Sequence, residues 1–127
     1  MTKINMQSKK ILIVDDDNRN IFALSAVLRS RGFECPACSN ASEAIAYLKS
    51  EKPVDLLLLD MMMPDMDGYE AIPIIKSIPE RNHLGIVAVT AQAMVGDREK
   101  CLEAGADDYI SKPVDVDKLI QIINRLS

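Results

Sequence analysis

Val54-Asp55-Leu56-Leu57-Leu58-Leu59-Asp60 is a short apolar run that ends on a carboxylate. A strand with one face in water alternates apolar and polar side chains. Four successive leucines do not alternate, so this strand, read as Val54–Leu59, must be covered on both faces. Ile11–Val14 and Ile86–Val89 have the same continuous character, and Phe33–Cys38 (the weakest) and Ala106–Ile110 complete five runs.

Segments of helical period lie between them. Asn18–Ser30 places Ile21, Leu24, Val27 and Leu28 on one side and is followed by Gly32, a stop signal. Asn40 and Glu43 have the spacing of a capping box opening a helix over Ala41–Ser50. Tyr69–Ser77 reads as the third helix, with Pro73 inside it, so that helix starts late or bends. Gly96 delays the fourth helix to near Asp97, and Val116–Leu126 forms the fifth, burying Leu119, Ile120, Ile122, Ile123 and Leu126. Strands alternating with helices over short connections predict a doubly wound α/β fold with a five-stranded parallel sheet and right-handed crossovers.

The length of 127 residues suits one domain, and 48% hydrophobic residues suit a globular core. A net charge of −4 argues against a nucleic-acid binder and against an anionic membrane surface as main partner. No run approaches the ~18 apolar residues of a spanning helix. The head MTKINMQSKK lacks the apolar stretch of a signal peptide, so a soluble, cytoplasmic protein is expected.

Cys35 and Cys38 form a CPAC pair, with Cys101 far away. On a strand, side chains three apart point to opposite faces with Cα atoms ~10 Å apart, too far for a bridge. No redox or metal role is expected of them. His83 falls in a polar stretch read as a surface loop, and the Asn40-Ala41-Ser42 sequon has no meaning without a secretory route. Asp65, Asp67 and Gly68 read as the turn opening the third helix, and Asp107 and Asp108 as solvent-facing turn residues.

Ligands of open α/β sheets bind beyond the carboxyl ends of the strands, and the charge gathers there. The first strand stops at Asp15-Asp16-Asp17, the third at Asp60, the fourth at Thr90 and the fifth at Lys112. Carboxylates brought to one rim repel unless a cation joins them, and hard oxygen ligands favour Mg²⁺. A lysine and a hydroxyl on that rim suit a phosphoryl oxygen. Helix capping explains one acid of Asp15–Asp17, with Asp17 read as a bystander or the cap, but not Asp60, Thr90 and Lys112 together. Four methionines, Met61, Met62, Met63 and Met66, read as packing around the rim, since thioethers are poor Mg²⁺ ligands.

In ILIVDDD, LLLLDMMMPDMDG, AVTAQAM and GDREKCLEAGADDYISKP, with their order and spacing, the chain resembles the receiver domain of bacterial two-component response regulators (the CheY-like superfamily) from Lys10 to Arg125. Asp60 follows Asp15 by 45 residues, Thr90 follows Asp60 by 30, and Lys112 follows Thr90 by 22. The resemblance implies a flavodoxin-like (βα)5 three-layer sandwich with strand order 2-1-3-4-5, and a receiver over 10–127 behind a flexible head, 1–9. It implies that Asp60 is the phosphoacceptor. Asp15, Asp16, Asp60 and the backbone carbonyl of Met62 would hold Mg²⁺, or Mn²⁺ in its place. Thr90 and Lys112 would bind phosphoryl oxygens, and Thr90 and Tyr109 would form the switch. Lys112-Pro113 is a candidate cis peptide, and Met62 and Gln92 occupy positions that tune dephosphorylation.

The resemblance also implies a signalling role, with Mg²⁺-dependent self-phosphorylation and slow autodephosphorylation rather than turnover of a separate substrate. A histidine kinase or histidine phosphotransfer protein would be the donor, meeting Asn18, Arg19, Ile21, Phe22 and the loop after Pro113. A downstream protein would read the surface of the fourth helix, fifth strand and fifth helix. With the chain ending after the fifth helix, no DNA-binding effector, no direct DNA binding and no membrane insertion are expected. A haloacid-dehalogenase-like phosphatase is the rival, through Asp15-x-Asp17. Arg19 stands where its motif needs Thr or Val, and the remaining acids and the lysine come too late or in the wrong order. A receiver fold no longer switched by phosphate would have lost an acid, the acceptor or the lysine, and all are present.

Overall fold

The structure, a computed structural model, describes residues 9–91 and 95–127. Five strands, β1 (Ile11–Val14), β2 (Ala37–Cys38), β3 (Leu56–Asp60), β4 (Gly85–Thr90) and β5 (Asp108–Ser111), form one parallel sheet in the order β2-β1-β3-β4-β5. Five helices connect or follow them: α1 (Asn18–Ser30), α2 (Ala41–Lys49), α3 (Gly68–Lys76), α4 (Asp97–Ala104) and α5 (Val116–Leu126). A short 3₁₀ turn, Pro79–Arg81, precedes β4.

The continuous apolar runs divide by parity. Leu12, Val14, Leu57 and Leu59 enter one core with Ala44 and Leu48 of α2, Ile72 and Ile75 of α3 and Cys101 of α4. Ile11, Ile13, Leu56 and Leu58 enter the other with Leu28 of α1 and Leu119 and Ile123 of α5. Each such side chain contributes about 1.5–3 kcal/mol on burial, against the entropy of ordering the chain. Cys35 and Cys38 follow the same rule: both are buried free thiols, one in each core.

Several boundaries depart from the sequence reading. The second strand shrinks from Phe33–Cys38 to two residues. Glu34 and Pro36 still accept from the Ile11 and Ile13 amides, but Pro36 has no N–H to return. The third strand starts at Leu56 because Asp55 is occupied at the sheet entrance, its carboxylate accepting from Lys10 N at 2.7 Å. The fifth begins at Asp108 because Ala106 still belongs to the end of α4: Gly105, at φ 118°, stops the helix and the Ala106 amide closes on the Cys101 carbonyl. The third helix starts early, at Gly68, and runs through Pro73, whose ring is exposed. In α5, Leu119, Ile122 and Ile123 are buried, while Ile120 and Leu126 pack at the margin.

The caps also differ. Asn40 accepts from Glu43 N at 2.8 Å, but the Glu43 carboxylate reaches Ser39 rather than Asn40, so the box is only half formed. A complete box closes Asp67 and Glu70 at the start of α3. Asp107 is exposed in the bend before β5, as read, while Asp108 is half-buried and no turn residue. Asp107 accepts from Ile86 N at 2.8 Å and pairs with Lys76, and Asp108 opens β5 and pairs with Arg125. Residues 1–8 of the expected head, and Gln92, lie outside the described residues.

Candidate functional site

The sheet delivers its polar residues to the carboxyl ends of β1, β3, β4 and β5. Asp15 follows β1, Asp60 ends β3, Thr90 ends β4, and Lys112 follows β5. Carboxylate oxygens of Asp15, Asp16 and Asp60 lie within 4.8 Å of one another; Asp15 and Asp60 are buried and Asp16 is exposed. Lys112 Nζ lies 3.4 Å from Asp60 Oδ2 and 3.5 Å from Asp15 Oδ2.

Backbone amides fix the carboxylates. Asp17 N donates to Asp15 Oδ1 at 2.8 Å, and Met62 N donates to Asp60 Oδ1 at 3.0 Å. Asp17 caps α1 as expected, yet its amide also orients Asp15, a role that sequence reading missed. The signal was available: an aspartate readily accepts from the amide two residues on, and Asp15 and Asp60 both do so. The loop after Asp60 is closed by the Gly68 amide, which donates to the Met61 carbonyl at 3.2 Å. A Cβ at Gly68 would sit 2.9 Å from Met61 Cα, so only glycine permits this approach.

Thr90 is buried and shares the rim: the Lys112 amide donates to its carbonyl at 2.8 Å, and Thr90 is paired with Ser111 across the β4–β5 ladder. Tyr109 is not part of the carboxylate cluster; it is half-buried on β5, packed at the margin of the core that holds α2, α3 and α4. Met61 and Met63 are buried, whereas the Met62 side chain is exposed. The Lys112-Pro113 peptide is cis.

Burial pushes the Asp15 carboxyl above its ordinary value; the Asp17 amide opposes this, the Asp60 charge adds to it, and Lys112 opposes it. Burial alone would lower the Lys112 ammonium, but the charges of Asp60 and Asp15 outweigh it and hold the group above its ordinary value. Three carboxylates against one ammonium leave an excess of negative charge in a partly dry site. The donors are all hard oxygens, the set that fits Mg²⁺. Burial raises the thiols of Cys35, Cys38 and Cys101, in keeping with inert packing roles.

Residues 11–124 match the family described as response regulator receiver domain. The signal transduction histidine-protein kinase BarA of Escherichia coli K12 is 36% identical over 115 residues, which are 91% of this chain and 12% of that kinase. This chain therefore spans a small part of that relative's length. The receiver domain of the sensor histidine kinase PA1611 of Pseudomonas aeruginosa, solved with a magnesium ion coordinated in its active-site cleft, superposes with a TM-score of 0.86. It is 33% identical, with 94% of this chain and 98% of that one covered. The receiver domain of the yeast (Saccharomyces cerevisiae) response regulator Ssk1, solved together with the histidine phosphotransfer protein Ypd1, gives a TM-score of 0.84 at 29% identity, covering 94% and 88% of the two chains. Among the described residues no helix is long and apolar enough to cross a membrane.

Proposed function

The chain belongs to the response regulator receiver domain family, signalling modules of two-component phosphorelays, and from that premise we propose that Asp60 is its phosphoacceptor. The observation that carries the assignment is Lys112 Nζ, set between the Asp60 and Asp15 carboxylates at 3.4 and 3.5 Å. An Asp60 oxygen attacks the phosphorus of a phosphohistidine in line; the O–P bond forms, the P–N bond breaks, and the electron pair leaves with the imidazole. Lys112 and the Thr90 hydroxyl bind phosphoryl oxygens. Asp15, Asp16, Asp60 and the Met62 carbonyl would hold Mg²⁺, or Mn²⁺ in its place, which would supply neutralisation of charge on the phosphoryl group and the carboxylates.

The same reading extends to the switch. Thr90 and Tyr109 answer the new phosphate, and the surface of α4, β5 and α5 presents the result to a downstream protein. Met62 and Gln92 tune the lifetime of the phosphate, which is lost by slow autodephosphorylation rather than passed to a separate substrate in turnover. The donor is a histidine kinase or a histidine phosphotransfer protein. The kinase relative and the Ypd1 complex support this, as does the Phe22 side chain, 76% exposed on the expected contact face with Asn18, Arg19 and Ile21. The receiver unit is 10–127 with a head at 1–9, acting in the cytoplasm without direct DNA binding or membrane insertion.

Asp60→Asn is expected to abolish incorporation of phosphate from phosphoramidate, read by mass spectrometry. Labelling of that variant at wild-type level on another residue would overturn the assignment. Chelating Mg²⁺ is expected to stop labelling of the wild type while its circular dichroism stays unchanged.

A further inference from the structure

The chain has seven methionines and three cysteines, and among the described residues their sulfur atoms divide sharply by burial. Met61 is 0% and Met63 5% exposed, and Met66 packs half-buried at the margin of the core that holds α2, α3 and α4. The three thiols are buried and free, and burial raises each of them, so none is a ready nucleophile toward an oxidant. Met62 is the exception at 51% exposure, its thioether in water between two buried neighbours. It is also tied to the reacting centre. Its amide donates to Asp60 Oδ1 at 3.0 Å, which tethers the side chain beside the carboxylate.

We propose that Met62 is a redox-sensitive site: a peroxide oxidises its thioether to the sulfoxide, which hastens loss of phosphate from Asp60. This role rests on Asp60 as phosphoacceptor and Met62 as a residue that tunes the phosphate's lifetime, and adds a chemical means of resetting that lifetime after synthesis. A sulfur lone pair attacks one oxygen of hydrogen peroxide; the S–O bond forms and the O–O bond breaks. The departing hydroxide takes the proton of the transferred oxygen and leaves as water, so sulfur loses two electrons and the peroxide gains them. At Met61 or Met63 the new polar oxygen would lie in the core and disrupt it; at Met62 it enters solvent and the fold stands. There the sulfoxide oxygen accepts from a water at the mouth of the site and orients it toward phosphorus. The water oxygen bonds to phosphorus, the P–O bond to Asp60 breaks, and the carboxylate returns. Inorganic phosphate leaves, and a proton passes to solvent. One hydrogen bond made in that transition state shortens the lifetime roughly two- to tenfold.

The test treats the full chain with hydrogen peroxide and locates the added oxygen by fragment-ion mass spectrometry. Met62 is expected to be modified ahead of Met61, Met63 and Met66, with circular dichroism unchanged. Treated and untreated protein are then labelled with phosphoramidate, and decay of the phosphoprotein is followed by mass. Treated wild type is expected to lose phosphate faster, and methionine sulfoxide reductases for both epimers to restore the untreated rate. Met62→Leu is expected to decay at one rate with or without peroxide, which excludes Met1, Met6, Met94 and the thiols as the source. Oxidation of Met61 or Met63 ahead of Met62, unchanged or slower decay on oxidation, or the same acceleration in Met62→Leu would each overturn the proposal and leave Asp60 as acceptor. Untreated wild type that takes no phosphate would overturn that acceptor and the redox role together.

Discussion

Asp15 bears two opposed demands: in the role proposed for it, it must be ionised to hold a cation, yet it is buried beside another carboxylate. Its carboxyl is held above the ordinary value of 3.8, mainly by burial. A folded state that binds this proton more tightly than the unfolded chain loses stability as pH rises from 3.8 through the raised value, and the deficit persists at neutral pH. Asp15→Asn is therefore expected to raise Tm at pH 7, without divalent cation, by about 3–6 °C, the effect of ~1 kcal/mol in a domain of this size. The gain should vanish below pH 4 and shrink in millimolar Mg²⁺, which stabilises only the carboxylate form. A lowered Tm at pH 7 would mean that the Asp17 amide and Lys112 outweigh desolvation.

Among the elements, α3 carries the clearest conflict between sequence and structure. Pro73 is its sixth residue, so the Tyr69 carbonyl has no helical amide to accept from, yet the helix continues to Lys76. Continuation is secured at both ends: the Asp67–Glu70 box fixes the start, and Ile72 and Ile75 are fully buried. Pro73 itself packs on nothing internal, so Pro73→Ala is expected to stabilise the domain by about 1–2 kcal/mol in urea unfolding, the helix gain exceeding the entropy returned to the unfolded chain. The limits of α1 and α5, and the start of α4, were legible because their signals are local: period, caps and glycine stops. The limits of β2, β3 and β5 were not, because partners distant in sequence set them, such as Lys10 for Asp55. The same cause hid the partners of Asp107 and Asp108, Ile86 and Arg125 in other elements, and Arg81, a buried cation donating to the Leu48 and Lys52 carbonyls. In the site, the residues that meet at the rim were legible because strand ends announce themselves. Tyr109, read as a switch residue and not as a ligand of that rim, stands apart from the carboxylates.

At the scale of the molecule, the sheet separates two cores of unequal membership that share one set of strands. Leu57 and Leu58 are neighbours in β3, both about fully buried, facing opposite layers. Leu57→Ala and Leu58→Ala are each expected to cost about 2–5 kcal/mol in urea unfolding, since neither face of the strand is a tolerant one. A near-neutral result for either would mean that one layer can collapse around the gap. The division of the cysteines between those layers has a practical consequence. Cys38 is buried on the α2 side and Cys35 on the α1 side, so the native chain already carries a chemical clock for each layer, with Cys101 under α4 a second one on the side of Cys38. A thiol reagent applied to the folded wild type, with each modified site read by mass spectrometry, would time the exposure of the two faces separately. A receiver that opens as a single unit would modify both at one rate, whereas one that loosens layer by layer would betray the order in which its coats come off.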